Sequence, residues 1–225
     1  MVKILLLMVE DRYGENFMKV FGLVMTYNCE KIILATGAFA NHLGIIPKRI
    51  SIQIAEHTVV LGEISDQTAN ILSDMPAIIY HKTEEIQGAI YIMPPIKYPD
   101  GRFWIKIGQS RGHIMTNPEK NLVPWFQGNG DKEIAQWLKS ELSTILPKIK
   151  LISTHSESCV TTKSKSGYQF IDNFNNSGIY SCLVGDGQAA KSADEIGRIA
   201  AHKILYGLVP DEYADINFQN EYSKS

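Results

Sequence analysis

A chain of 225 residues has room for one large domain or two small ones, and it buries enough surface to hold a core without disulfides or a structural metal. Apolar residues make up 44% and charged residues 20%, and the net charge of −2 gives no electrostatic reason to expect nucleic acid or an anionic membrane as partner. The nearest approach to a basic cluster, Lys163 and Lys165, reads as a solvated loop.

In chain order, Val2–Val9 (VKILLLMV) is an apolar run far shorter than the ~20 residues that span a bilayer. Glu10, Asp11 and Arg12 stand where a signal peptide would need small residues, so the run reads as a buried strand. Asp11–Asn16 is a polar turn, Phe17–Tyr27 a second strand, Asn28–Glu30 a further turn and Lys31–Leu34 a third strand. Ala35-Thr36-Gly37-Ala38 follows at once, a small-residue turn suited to close approach of a backbone or ligand.

From about 50 to 115 the pattern is β-rich. Ile50–Ile54, Thr58–Leu61, Ala77–Tyr80, Ala89–Met93 and Arg102–Ile107 read as strands, and Ser65–Leu72 as a short helix. Tyr98-Pro99-Asp100-Gly101 has the chemistry of a hairpin turn. Asp131–Leu146 is the clearest helix, with Asp131 as N-cap, an apolar stripe of Ile134, Leu138, Leu142 and Ile145, and Pro147 as stop. Leu151–Thr162, Gln169–Ile171 and Gly178–Val184 read as strands. Gly185-Asp186-Gly187 then precedes a helix from about Ala189 to Tyr206, ended by Gly207 and Pro210. The tail from Asp211 is polar and is expected to fray.

Metal chemistry finds little support, because the six histidines form neither HxH nor HExxH and no cysteine has zinc-finger spacing. Cys29, Cys159 and Cys182 form no CxxC, which suits a reducing compartment, with cytosol the default and peroxisome or another organelle left open. No GxSxG is present. Gly185–Gly187 at a strand-to-helix junction offers backbone N–H groups to an electron-rich oxygen, although a GxG alone reads as readily as a structural turn. Lys106 lies mid-strand among apolar neighbours, which suits either a functional desolvated ammonium or a solvent-facing lysine. Cys159 suits a small buried thiol as well as a reactive one. Lys191, expected in the first turn of a helix, is a cation disfavoured by the dipole unless an anion sits nearby.

Taken together and in order, Lys31–Phe39, Tyr91–Gly108, Ser158–Asp172 (SCVTTKSKSGYQFID) and Ile179–Lys191 (IYSCLVGDGQAAK) resemble the monomeric sarcosine oxidase group of D-amino-acid-oxidase-like flavoproteins. The resemblance covers residues 17 to 207 and corresponds to the later half of a family member. It implies a partial two-domain fold of the α/β (α+β) class, with a mixed, mostly antiparallel sheet and no N-terminal dinucleotide-binding unit. Residues 1–45 would be return strands of the nucleotide domain, 46–150 the substrate-domain sheet and helix, 151–210 the flavin-contacting strands and final helix, and 211–225 a tail.

The same resemblance implies FAD as cofactor, with Thr36, Gly37, Gly185, Asp186 and Gly187 beside it and Cys159 bonded covalently to the flavin. It implies Lys106 as a positive charge near the flavin and Lys191 as partner of a substrate carboxylate. The implied reaction is oxidation of a secondary amine or amino acid, with dioxygen as final acceptor. Gln109-Ser110 replaces a histidine common in sarcosine oxidases, which puts sarcosine in doubt. Asp186-Gly187-Gln188-Ala189-Ala190 lacks the usual glycine-histidine-glycine-aromatic pattern, and no GxGxxG occurs anywhere. The rival expectations are a non-catalytic fragment that cannot hold FAD and a half-protein completed by an N-terminal half on a separate chain.

Overall fold

The computed structural model describes residues 31–42, 44, 46, 48–81, 89–175 and 178–223. The expected strands Val2–Val9 and Phe17–Tyr27, with the turns at Asp11–Asn16 and Asn28–Glu30, lie outside the described residues. In chain order the described strands are β1 (Ile32–Leu34), β2 (Gln53–Ile64), β3 (Ile78–His81), β4 (Ala89–Lys97), β5 (Phe103–Gln109), β6 (His113–Ile114), β7 (Thr154–Lys163), β8 (Phe170–Asn173) and β9 (Ile179–Leu183). The described α-helices are α1 (Asp66–Ile71), α2 (Pro118–Phe126), α3 (Lys132–Ile145) and α4 (Ala193–Tyr206). The chain divides into two compact units, one of residues 1–54 and 161–225, the other of residues 55–160.

In the first unit β1, β9 and β8 form a three-stranded sheet in that order, β1 parallel to β9 and β8 antiparallel to it. Period-2 alternation gives each strand two apolar faces. Leu34, Phe170 and Leu183 pack with Ala40, Ile50 and Phe174 on one side. On the other, Ile33, Ile171 and Tyr180 meet Ile199, Ala200 and Ile204 of α4. The Lys31 ammonium donates to the Ile204 carbonyl at 2.5 Å, satisfying one of the carbonyls left open at the end of α4. Gly207 then stops that helix at φ +82°.

The tail departs from expectation. It docks rather than frays: Phe218 is 6% exposed, its carbonyl accepts the Ile171 N–H at 2.9 Å, and Tyr222 bridges Ile50. One apolar side chain in a polar stretch supplies the anchor that its composition hides.

The second unit is dominated by an antiparallel sheet ordered β3-β4-β5-β2-β6, with β7 also paired to β2. The expected hairpin turn is present, with Gly101 at φ +81° and its N–H donating to the Tyr98 carbonyl. Pro94-Pro95 cannot supply ladder N–H groups, and the register of β4 shifts there, between Met93 and Ile96. Helix α3 lays Ile134, Ala135, Leu138 and Leu142 on Val60, Ile90, Ile92, Ile105 and Ile107. Asp131 caps it as expected, its Oδ1 accepting the N–H groups of Glu133 and Ile134 at 2.8 and 2.9 Å. Helix α2 is an addition that the sequence reading missed. Its two prolines signal breaks, yet Pro118 occupies the tolerated first position and only Pro124 interrupts the helix.

Candidate functional site

In the first unit the parallel register sets Leu34 of β1 beside Ser181 of β9, so the loops leaving both carboxyl ends start from neighbouring positions. Crevices outside the carboxyl ends of parallel strands are the common ligand sites of α/β sheets. The first loop is Ala35-Thr36-Gly37. Thr36 is 8% exposed, and among the described residues its Oγ1 is buried without a hydrogen-bond partner. Such an orphan costs about 1–3 kcal/mol unless something pairs with it. Gly37 has φ +54°, and nothing lies within 4 Å of where a Cβ would sit. Its glycine is therefore required by conformation, and the space above it is open.

The second loop follows β9 and is strained. Val184, Asp186 and Gly187 take φ values of +69°, +48° and +69°, left-handed backbone that a β-branched valine rarely adopts. Tertiary contacts hold it there. The Asp186 N–H donates to the Thr162 carbonyl at 3.0 Å, and the Asp186 carboxylate lies 3.9 Å from the Lys163 ammonium. Gly185 sits where a Cβ would come within 2.9 Å of Ala189 Cβ. The Gly185 carbonyl in turn accepts the N–H groups of Gln188 and Ala189.

The expected helix from Ala189 is corrected here. Residues Ala189–Lys191 form a single 3₁₀ turn, and α4 starts only at Ala193. Ser192 supplies no side-chain cap, while Asp194 and Glu195 occupy the first turn of α4 and offset the positive end of its dipole. Gly185–Gly187 therefore presents its own backbone rather than the start of an α-helix. Lys191 ends the 3₁₀ turn, exposed, instead of standing in a first helical turn.

The second unit places Lys106 in the middle of β5, half-buried, opposite Leu61 of β2 and Met93 of β4. Because Ile105 and Ile107 face α3, Lys106 belongs to the opposite face of the sheet, with Trp104, Gly108, Tyr91 and Met93. Met93 and Ile79 leave apolar surface exposed on that face, at 44% and 61%. Tyr91 is a site residue that the reading of individual residues missed. Its signal was Gly108, an isolated glycine inside a strand, which often marks close approach of a neighbour. Cys159 lies in β7 as a half-buried free thiol, its carbonyl accepting the Trp125 indole N–H at 3.0 Å. The expected site residues thus fall in two sets: Thr36, Gly37, Gly185, Asp186, Gly187 and Lys191 in the first unit, Lys106 and Cys159 in the second.

No family model and no curated protein matches this chain. Solved structures do. A modified fructosyl peptide oxidase from Aspergillus nidulans is similar with TM-score 0.60 at 15% identity, over 87% of this chain and 46% of its own. An iminodiacetate oxidase from Chelativorans sp. BNC1 gives TM-score 0.58 at 12% identity, over 88% and 48%. L-proline dehydrogenase from P. horikoshii gives 0.52 at 17%, over 82% and 45%. The chain has the fold of the C-terminal part of these oxidoreductases. It spans about half the length of the structures it matches. That is the fold the sequence resemblance implied, a mixed α/β architecture with mostly antiparallel sheets. No described helix is long and apolar enough to cross a membrane.

Proposed function

We propose that this chain is the flavin-ring and substrate-facing part of an FAD-dependent oxidoreductase that oxidises a secondary amine or amino acid. One observation carries the reading: a buried, unpaired Thr36 hydroxyl and the open Gly37 turn stand at the carboxyl end of β1, and a strained glycine loop leaves β9 beside it. Residues of this kind fit a planar, polar ring system, which needs a hydrogen-bond partner, room for close backbone approach and exposed N–H groups. The named substrates of the three similar enzymes add the substrate class. Fructosyl peptides, L-proline and iminodiacetate each join a secondary amine to a carboxylic acid.

Bound FAD would supply the two-electron acceptor for the hydride leaving the carbon beside nitrogen, with dioxygen as the proposed final acceptor. Thr36 and Gly37 hold the cofactor by hydroxyl and backbone, and Gly185–Gly187 offers backbone N–H groups. Lys191, exposed on the turn after that loop, is the proposed partner of the substrate carboxylate. Asp186 does not stand against such a carboxylate uncompensated, since Lys163 lies 3.9 Å from it. The roles of Lys106 as a positive charge on the substrate-facing sheet and of Cys159 as the thiol of covalent attachment rest on the sequence resemblance.

The absence of GxGxxG from the sequence favours a second reading, a chain that keeps the fold and requires an N-terminal half on another chain to hold the nucleotide. Flavin fluorescence quenching with FAD and with riboflavin tests both. On the proposal, the two probes bind weakly and within about threefold of each other, because the ring is held and the pyrophosphate is not, and Thr36→Val weakens both. Tight one-to-one binding of FAD overturns the half-protein reading. Binding of neither probe at any soluble concentration overturns the flavin reading.

A further inference from the structure

A second cavity, of about 280 Å³, opens in the first unit between β8, the end of α4 and the docked tail. Its wall carries Asp172 from β8, Lys203 from the last turn of α4 and Asp215 from the tail, over an apolar floor of Ile171, Val209 and Phe218. Neither Thr36 nor the Gly185–Gly187 loop lines it, so it is separate from the crevice described above.

Two features set this cavity apart from an ordinary surface dimple. The floor is fixed: Ile171 and Phe218 are 2% and 6% exposed, and the Phe218 ring meets Tyr168 and Tyr213 edge-on at 6.3 and 6.4 Å. The charges are unspent. Among the described residues Lys203, Asp172 and Asp215 form no ion pair, although they line one cavity. Asp172 uses one oxygen, Oδ2, to accept the Asn220 N–H at 3.2 Å. Opposite charges that share a cavity without meeting each other leave a gap that a molecule with both charges would fill with charge-assisted hydrogen bonds.

We propose that this cavity binds a small zwitterionic amino acid. Its carboxylate pairs with Lys203, its ammonium with Asp172 and Asp215, and a small apolar side chain rests on Phe218, Ile171 and Val209. The volume lies just under the ~300 Å³ at which pockets for drug-sized ligands begin, which suits a ligand of a few heavy atoms. The site owes nothing to the flavin reading and stands or falls independently of it.

The test is a titration of the full chain with L-alanine, followed by backbone amide shifts of residues 215–219. Saturable shifts with a dissociation constant of about 1 mM are expected. Lys203→Met should weaken binding about tenfold, the loss of one charge-assisted contact. Asp215→Asn, at an exposed position that leaves the fold alone, gives the corresponding loss from the ammonium side if Lys203→Met does not fold. N-acetyl-L-alanine, which has no ammonium, should not bind. Equal binding of the acetylated probe, unchanged affinity in both variants, no saturable shift, or shifts confined to residues 186–191 would each overturn the proposal.

Discussion

The Tyr91 ring lies directly over Gly108, so that a Cβ at Gly108 would sit 2.5 Å from both Cζ and the phenol oxygen. The ring is thereby seated on the sheet face that carries Lys106, two residues away along β5. Gly108→Ala must push the ring off its seat, an overpacking that costs about 1–3 kcal/mol. Urea unfolding measures it, and Tyr91→Ala in the same background should recover part of the loss. A Gly108→Ala chain as stable as the parent would show that the ring has no fixed seat.

Asp131 accepts two N–H groups at the start of α3, and its own N–H takes a 2.9 Å bond from the Thr58 hydroxyl oxygen. Only the first two bonds involve the side chain. Asp131→Ala should therefore cost about 1 kcal/mol, with Asp131→Asn, which keeps the acceptor, close to the parent in the same unfolding assay.

Glu195 should make stability pH-dependent in acid. The Arg198 guanidinium donates to both its oxygens, at 2.9 and 2.6 Å, and the Tyr213 hydroxyl adds a third bond at 2.7 Å. Arg198 first and Tyr213 second pull the Glu195 pKa from 4.5 down to about 2. Arg198 also holds Glu212, whose carboxyl is lowered chiefly by a backbone N–H and then by Arg198. A carboxylate with a depressed folded pKa adds stability above its unfolded value of 4.5 and loses it as pH falls toward 2. The pairs are exposed, so the effect is small. Thermal midpoints measured between pH 5 and pH 2 should fall less steeply for Glu195→Gln than for the parent.

Cys159 and Cys182 should react differently. Burial pushes the Cys182 thiol up, keeping it protonated, and its neighbours are the apolar residues under α4. Cys159 is more accessible on β7. Peptide mapping after brief iodoacetamide treatment of the folded chain should find Cys159 alkylated well before Cys182. Equal rates would mean that β9 and α4 open as readily as the surface of β7.

Period-2 and period-3.6 patterns made β5, β9 and α3 legible in the sequence, because in each a single apolar stripe decides the matter. Fold-level kinship was legible too, but from short local segments rather than from periodicity. Helix α2 was not, since Pro118 and Pro124 signal breaks locally and only Leu122, 1% exposed, ties that helix to the core. The start of α4 was misread for a related reason. Ala189–Lys191 has good helical composition, yet the Gly185 carbonyl captures the N–H groups of Gln188 and Ala189 and closes a tighter turn. At the candidate site, Gly37 and Gly187 could be read as turn glycines. That Thr36 hides an unpaired hydroxyl, and that Lys163 offsets Asp186, depends on contacts between distant segments that no local pattern carries.

The tail provides the sharpest test, because composition and structure disagree about it. A fraying segment contributes nothing to stability, so cutting it or altering it should leave the unfolding midpoint unchanged. The docked tail instead buries Phe218 against Ile171, Ile199 and Ala200, and extends the contact through a 2.7 Å hydrogen bond from the Ser181 hydroxyl to Asn220 Oδ1. The Glu221 carboxylate also accepts the N–H groups of Lys165 and Ser166. Phe218→Ala removes a buried aromatic ring and should cost about 3–5 kcal/mol. Leu208→Ala, at a position 53% exposed, is the matched control and should stay within about 0.5 kcal/mol of the parent. The two variants are compared by urea unfolding with tryptophan fluorescence. If Phe218→Ala unfolds at the same denaturant concentration as Leu208→Ala, the tail is loose in solution, and the cavity it closes with Lys203 and Asp172 loses one of its walls.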